Sequence, residues 1–114
     1  MAKILSIETS TSICSVAVHD SGSLRSLAEI TEPGAHAEQL MQLVVDAVGK
    51  ASLGLSELDA IAVSEGPGSY TGLRIGVSTA KGLCFALDKP LIAIGTLQMM
   101  ANGYLQKHPN YGGL

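Results

Sequence analysis

The sequence predicts an α/β domain built on a mixed five-stranded sheet with flanking helices. Three observations predict it. Three short strand-like runs come first, with only polar turns between the first two pairs. Two amphipathic helical segments follow. Each of these is succeeded by a short apolar run, and with a last helical segment at 96–106 the order is β-β-β-α-β-α-β-α. Strands separated by helices are parallel with right-handed crossovers, whereas strands joined by tight turns form an antiparallel meander. The first strand therefore pairs with both the meander and the later parallel strands.

The first strand is Ile4-Leu5-Ser6-Ile7-Glu8, which runs into the hydroxyl-rich turn Thr9-Ser10-Thr11-Ser12. A second strand, 13–19, is rich in β-branched residues. Asp20-Ser21-Gly22-Ser23 is a turn signal. A third strand covers 24–31, and Glu32-Pro33-Gly34 breaks the pattern. The helix at 35–50 follows. At about 100° per residue its polar residues Glu38, Gln39, Gln42, Asp46 and Lys50 share one side, and apolar residues fill an arc of roughly 200°. A helix lying on one sheet needs a stripe only a little over about 100° wide, so the excess predicts a second buried contact.

Gly54 ends that unit, and 60–64 reads as a strand buried on both faces. A glycine-rich loop, Gly66-Pro67-Gly68-Ser69-Tyr70-Thr71-Gly72, leads into a helix at 71–87, whose apolar arc is about 220° wide on the same wheel. Gly72, Gly76 and Ala80 form a ridge of small residues at four-residue spacing. Glycine inside a helix costs roughly 1 kcal/mol against alanine, so the ridge predicts close backbone approach to another element. Asp88-Lys89-Pro90 stops this helix. A strand at 91–94 and a last helix at 96–106 are expected, and 108–114 has linker composition.

At 114 residues the chain has the length of one domain, taking about 100–200 residues per domain. Hydrophobic residues make up 46%, which argues against global disorder. The net charge of −3 and the scattered basic residues argue against tight direct binding to a phosphate backbone. Charged residues are only 15%, so the domain is expected to hide surface in a partner or a further domain. Two isolated cysteines, Cys14 and Cys84, fit a reducing cytosol and make no metal motif. With no signal-like h-region and no apolar run near the roughly 18 residues that span a bilayer, a cytoplasmic protein free of the membrane is expected.

Two segments invite a functional reading. Glu8 with Thr9, Ser10, Thr11 and Ser12 could form a phosphate-binding hairpin, the carboxylate holding a hydrated Mg²⁺. The alternative is a solvated polar turn. The loop Gly66 to Gly72 lies before a helix N-terminus, where an anion is favoured. It is neither the dinucleotide fingerprint nor a P-loop, and the alternative is a tight strand-to-helix turn. His19, His36 and His108 lie far apart, and Glu8, Glu65 and Asp59 have no paired nucleophile.

Ile7-Glu8-Thr9-Ser10-Thr11, Cys14-Ser15-Val16-Ala17, His36-Ala37-Glu38 and above all Gly66-Pro67-Gly68-Ser69-Tyr70-Thr71-Gly72-Leu73-Arg74-Ile75-Gly76 resemble the bacterial TsaB (YeaZ) family. Ala80-Lys81-Gly82-Leu83 continues the likeness, which covers nearly the whole chain in order. The resemblance implies an actin-like ATPase (ribonuclease H-like) fold. It implies a non-catalytic partner of the transferase TsaD in making threonylcarbamoyladenosine at position 37 of tRNA. TsaE would join through that complex, tRNA would be met only indirectly, and no cofactor would be bound.

The catalytic paralogue carries two metal-binding histidines four residues apart at the first helix. Here His36 stands at the first place and Leu40 at the second, so a metal site is not expected. The family's first turn usually carries Asp where Glu8 stands. The family is also about twice as long, so residues 1–107 are expected to be an N-terminal domain, with 108–114 leading toward a second one. The rival reading is an actin-like ATPase or kinase whose cleft needs that second domain. A related metallopeptidase fails on the same missing histidine. The two wide apolar arcs predict a partner surface on the helices, used by TsaD or, when the chain is alone, by a second copy. Leu40 and Leu43 on the first helix, and Leu73, Gly76, Val77 and Ala80 on the second, are its expected members.

Overall fold

The computed structural model describes residues 2–9, 13–30, 37–66 and 70–95. The expected helix at 96–106 and the linker at 108–114 lie outside these residues. The described elements are β1 (Lys3–Glu8), β2 (Cys14–Asp20), β3 (Ser23–Ile30), α1 (Ala37–Lys50), β4 (Ala60–Gly66), α2 (Tyr70–Leu87) and β5 (Leu91–Gly95). A single 3-10 turn, Leu55–Glu57, separates α1 from β4.

The sheet order is β3-β2-β1-β4-β5. β1 pairs antiparallel with β2 and parallel with β4, and β4 pairs parallel with β5. The mixed sheet is the predicted one, with β1 between the meander and the parallel half. The β2–β3 turn places Ser21 at φ 57° and Gly22 at φ 83°. Positive φ at both central residues is the two-residue turn whose twist matches the flanking strands, and Gly22 takes it without steric cost. The start of β4 is pinned beside β1: the Lys3 amide donates to Asp59 Oδ2 at 2.8 Å, and the Asp59 amide donates to the Lys3 carbonyl at 2.7 Å.

Alternation along the strands puts one set of side chains beneath the helices. Leu5 and Ile7 of β1, Val16 and Val18 of β2, and Ile61 and Val63 of β4 are buried there. Against them pack Leu40, Leu43, Val44, Ala47 and Val48 of α1, with Ala80 and Leu83 of α2. β4 is buried on both faces from Ala60 to Ser64, as its continuous apolar run predicts.

α1 lies over β2 and β3, α2 lies mainly over β4, and the two helices touch each other. This accounts for much of the excess width of their apolar arcs: each helix packs on the sheet and on its neighbour. Ser26 ties the two layers together. Its hydroxyl donates to the Ala47 carbonyl at 2.6 Å inside the core, which satisfies a buried polar group in an otherwise apolar contact.

Candidate functional site

The carboxyl ends of β1 and β4 lie side by side, because the two strands are parallel neighbours. Glu8 ends β1 with its Oε2 atom shut off from solvent, and Thr9 follows it, 1% exposed. Glu65, near the end of β4, is exposed. Ser10, Thr11 and Ser12 of the hairpin lie outside the described residues, as do Pro67, Gly68 and Ser69 of the glycine loop. Gly66 closes β4, and Tyr70, Thr71 and Gly72 form the first turn of α2.

Thr9 is the residue that joins the two segments. Its hydroxyl donates to the Gly72 carbonyl at 2.6 Å. One turn further along α2, Gly76 faces the same side chain. A Cβ added at Gly76 would meet Thr9 Oγ1 in hard overlap and would stand 3.4 Å from both Thr9 Cβ and Cγ2. The close approach predicted from the small-residue ridge is therefore real, but its target is the end of β1. Ala80, the next member of the ridge, is fully buried in the core.

The bond also changes the reading of the hairpin. A phosphate-binding hydroxyl must point its proton at the anion, and the Thr9 proton is directed at a backbone carbonyl. Of the five hairpin residues singled out from sequence, Thr9 thus serves the fold.

The expected partner surface needs correction. Leu40 is 1% exposed and Leu43 is 5% exposed, both within the domain's own core. Gly76 and Ala80 are buried beneath α2, and Val77 is half-buried against the core. Leu73 is half-buried. Leu40, Leu43, Gly76 and Ala80 point down because the wide arcs are used against the sheet and between α1 and α2. The apolar residues left on the outer surface of the helix layer are Met41, Val45 and Phe85, at 36%, 51% and 92% exposure. Sequence reasoning passed over Val45 and Phe85. The signal was present: Phe85 continues the polar stripe Arg74, Ser78, Lys81 at helical spacing, so it shares the outward face.

Burial pushes the thiols of Cys14 and Cys84 up from their ordinary value, which keeps them protonated. His36 lies outside the described residues. Leu40, four residues after His36 in sequence, offers no donor atom and packs in the core. Among the described residues no three His, Cys, Asp or Glu side chains stand together in a way that could hold a metal ion. Also among the described residues, no helix is long and apolar enough to cross a membrane.

The family profile described as TsaD, tRNA N6-adenosine threonylcarbamoyltransferase, matches residues 31–111. The tRNA threonylcarbamoyladenosine biosynthesis protein TsaB of Escherichia coli K12 is 36% identical over 106 residues, 93% of this chain and 46% of that protein. The chain belongs to the TsaB (YeaZ) family. The tRNA N6-adenosine threonylcarbamoyltransferase of Bartonella bacilliformis is 48% identical over a shorter stretch of 64 residues, 56% of this chain and 18% of that enzyme. The structure of YeaZ from Pseudomonas aeruginosa superposes with a TM-score of 0.84 at 36% identity, covering 96% of this chain and 51% of that one. The sheet order and this match together give the actin-like, ribonuclease H-like fold. The chain spans about half the length of the TsaB relatives it matches.

Proposed function

We propose that this chain is a non-catalytic partner of a TsaD-type transferase in the threonylcarbamoyladenosine modification of tRNA. The observation that supports the reading is a TsaD-type domain whose Leu40 packs in the core and offers no ligand atom, where the resemblance leads one to look for a second metal-binding histidine. A domain that keeps the fold and the glycine loop but lacks the metal-holding side chain retains the means to bind, not the means to catalyse. The commitment of the Thr9 hydroxyl to the Gly72 carbonyl argues in the same direction, against an ATPase or kinase working through the first hairpin.

The contact face for the transferase is the outer surface of the α1–α2 layer, with Phe85 as its anchor. A large aromatic ring that is 92% exposed on a rigid helix is the kind of residue that dominates an interface. TsaE would join through the resulting complex, and tRNA would be engaged by the complex rather than by this chain.

Binding of the full chain to the purified transferase, measured by calorimetry, tests the reading. Phe85→Asp is expected to weaken binding by about 2 kcal/mol or more, the scale of an interface anchor, with an unchanged circular dichroism spectrum. Absence of binding by the wild-type chain would overturn the proposal.

A further inference from the structure

We infer that the second face of the sheet, the one turned away from α1 and α2, is a docking surface for residues 96–106 of this same chain, which close it along β1 and β4.

Strand alternation puts Leu27, Ala17, Ser6, Ala62 and Ile92 on that face, and the register sets them in one row across the five strands in that order. Ala60 and Ser64 share the face with Ala62 on β4. Ala60, Ala62 and Ser64 are 7%, 2% and 0% exposed. Yet Ala60 and Ala62 stand outside the core that α1 and α2 make with the sheet. Neither described α-helix lies on their side, so their burial has another cause. Exposure rises toward both edges of the row, to 44% at Leu27 and 39% at Ile92, while Ser6 and Ala17 are half-buried. The cover therefore sits over the middle of the face. A helix is about 10–12 Å across and strands are about 4.8 Å apart, so a single helix covers about two strands. β4 and β1 are the two.

The chain supplies a segment of the right size and pattern. β5 ends at Gly95, and residues 96–106 continue directly from it. At about 100° per residue Leu97, Met100, Ala101, Tyr104 and Leu105 fill one arc of about 140°, with Gln98, Asn102 and Gln106 on the other side. The arcs of α1 and α2 are wide because each helix packs on the sheet and on its neighbour. This narrower arc is what one sheet contact alone requires. The segment carries no charged residue, so docking it buries none.

Length and direction agree. As a helix, 96–106 is about 16 Å long, which equals the reach of the strand 60–64. Starting at the carboxyl end of β5, it returns antiparallel to β4. Tyr104 then falls about 12 Å along the helix, and Ala62, level with Ile92, lies about 10 Å back from Gly95. The small residues Ser6, Ala17, Ala60 and Ala62 leave a shallow trough, and the Tyr104 ring is the large side chain that fills it.

Site-resolved maleimide labelling of the full chain tests the docking. Ala62→Cys places a thiol on the covered face, and the native Cys14, 7% exposed in the core beneath the helices, reports unfolding of the whole domain. Both thiols are expected to be protected. Adding Tyr104→Asp is expected to speed labelling at position 62 about tenfold or more while Cys14 stays protected, because opening one face is a local event. Adding Asn102→Asp, on the polar side, is expected to change it less than about twofold, as for a surface residue. If Tyr104→Asp exposes both thiols, Leu97→Ser is the milder change at the same stripe and is read in the same way. Unchanged labelling at position 62 in the stripe variants would overturn the inference. So would rapid labelling there in the otherwise unaltered chain, which is what a face kept for a partner predicts. Protection that fades on dilution would overturn it too, since a second copy would then be the cover. The chain is labelled alone, so either outcome leaves the proposed role beside a transferase to its own test.

Discussion

Thr9, the residue after β1, donates its hydroxyl to the carbonyl of Gly72 in the first turn of α2, 2.6 Å away and almost wholly shielded from solvent. The bond links residues 63 apart in sequence and holds the mouth of the glycine loop against the end of the first strand. Gly76 is what permits it, because any side chain there would occupy the space of Thr9.

Substitutions at this contact separate its two parts. Thr9→Val keeps the shape and removes the hydroxyl, so the expected loss is about 1 kcal/mol, the net worth of one hydrogen bond. Gly76→Ala adds a methyl group to a closed contact, for an expected loss of about 1–3 kcal/mol. Urea denaturation of the single and double variants checks this. Because the two residues touch, the two losses should not add. Additive losses would mean that Gly76 and Thr9 are not in contact.

Core and surface positions on the helices are expected to respond differently. Leu40→Ala should cost about 2–5 kcal/mol, as for other fully buried leucines. Leu43→Glu buries a charge without a partner and should unfold the domain rather than merely detach it. Phe85→Asp should leave the unfolding free energy within about 0.5 kcal/mol of wild type, as for a surface residue. Thermal melts of the three variants provide the check, and a folded Leu43→Glu protein would contradict the placement of Leu43 in the core.

Much of the fold was legible because its signals are local. The breaks at Asp20–Ser23 and Asp88–Pro90, the apolar run of β4 and the helical periodicities each depend on neighbours in sequence. The outward face was harder. An apolar arc of about 200° states how much of a helix is buried, but not whether a sheet, a second helix of the same chain or a partner buries it. The arc alone directs Leu40 and Leu43 to a partner, because the α1–α2 contact within the chain is a tertiary fact. The Gly72, Gly76 and Ala80 ridge correctly predicted close approach, yet its target, Thr9, is more than sixty residues away. Hydroxyls in a polar turn likewise do not disclose whether they will meet an anion or a backbone carbonyl.

The cysteines give the domain a pH dependence on the alkaline side. Burial raises both thiols above their ordinary value of 9.0, so the folded chain holds these protons more tightly than the unfolded chain does. Their contribution to stability is fully present below the unfolded value. It is lost as pH rises through the raised folded values. The urea midpoint is therefore expected to fall above about pH 9, and Cys14→Ala should flatten that decline. Circular dichroism titrations of the two proteins check it. An identical alkaline slope in the variant would remove Cys14 as a cause.

Support of a transferase without catalysis of the transfer itself, the role proposed for this chain, is open to a reconstituted tRNA modification assay. The full chain, a TsaD-type transferase, threonylcarbamoyl-AMP and unmodified tRNA are combined, and threonylcarbamoyladenosine is measured with each protein omitted in turn. No product is expected from this chain alone, and a large drop in product is expected when it is left out of the complete mixture. Product from the chain without the transferase, or an undiminished yield in its absence, would contradict it.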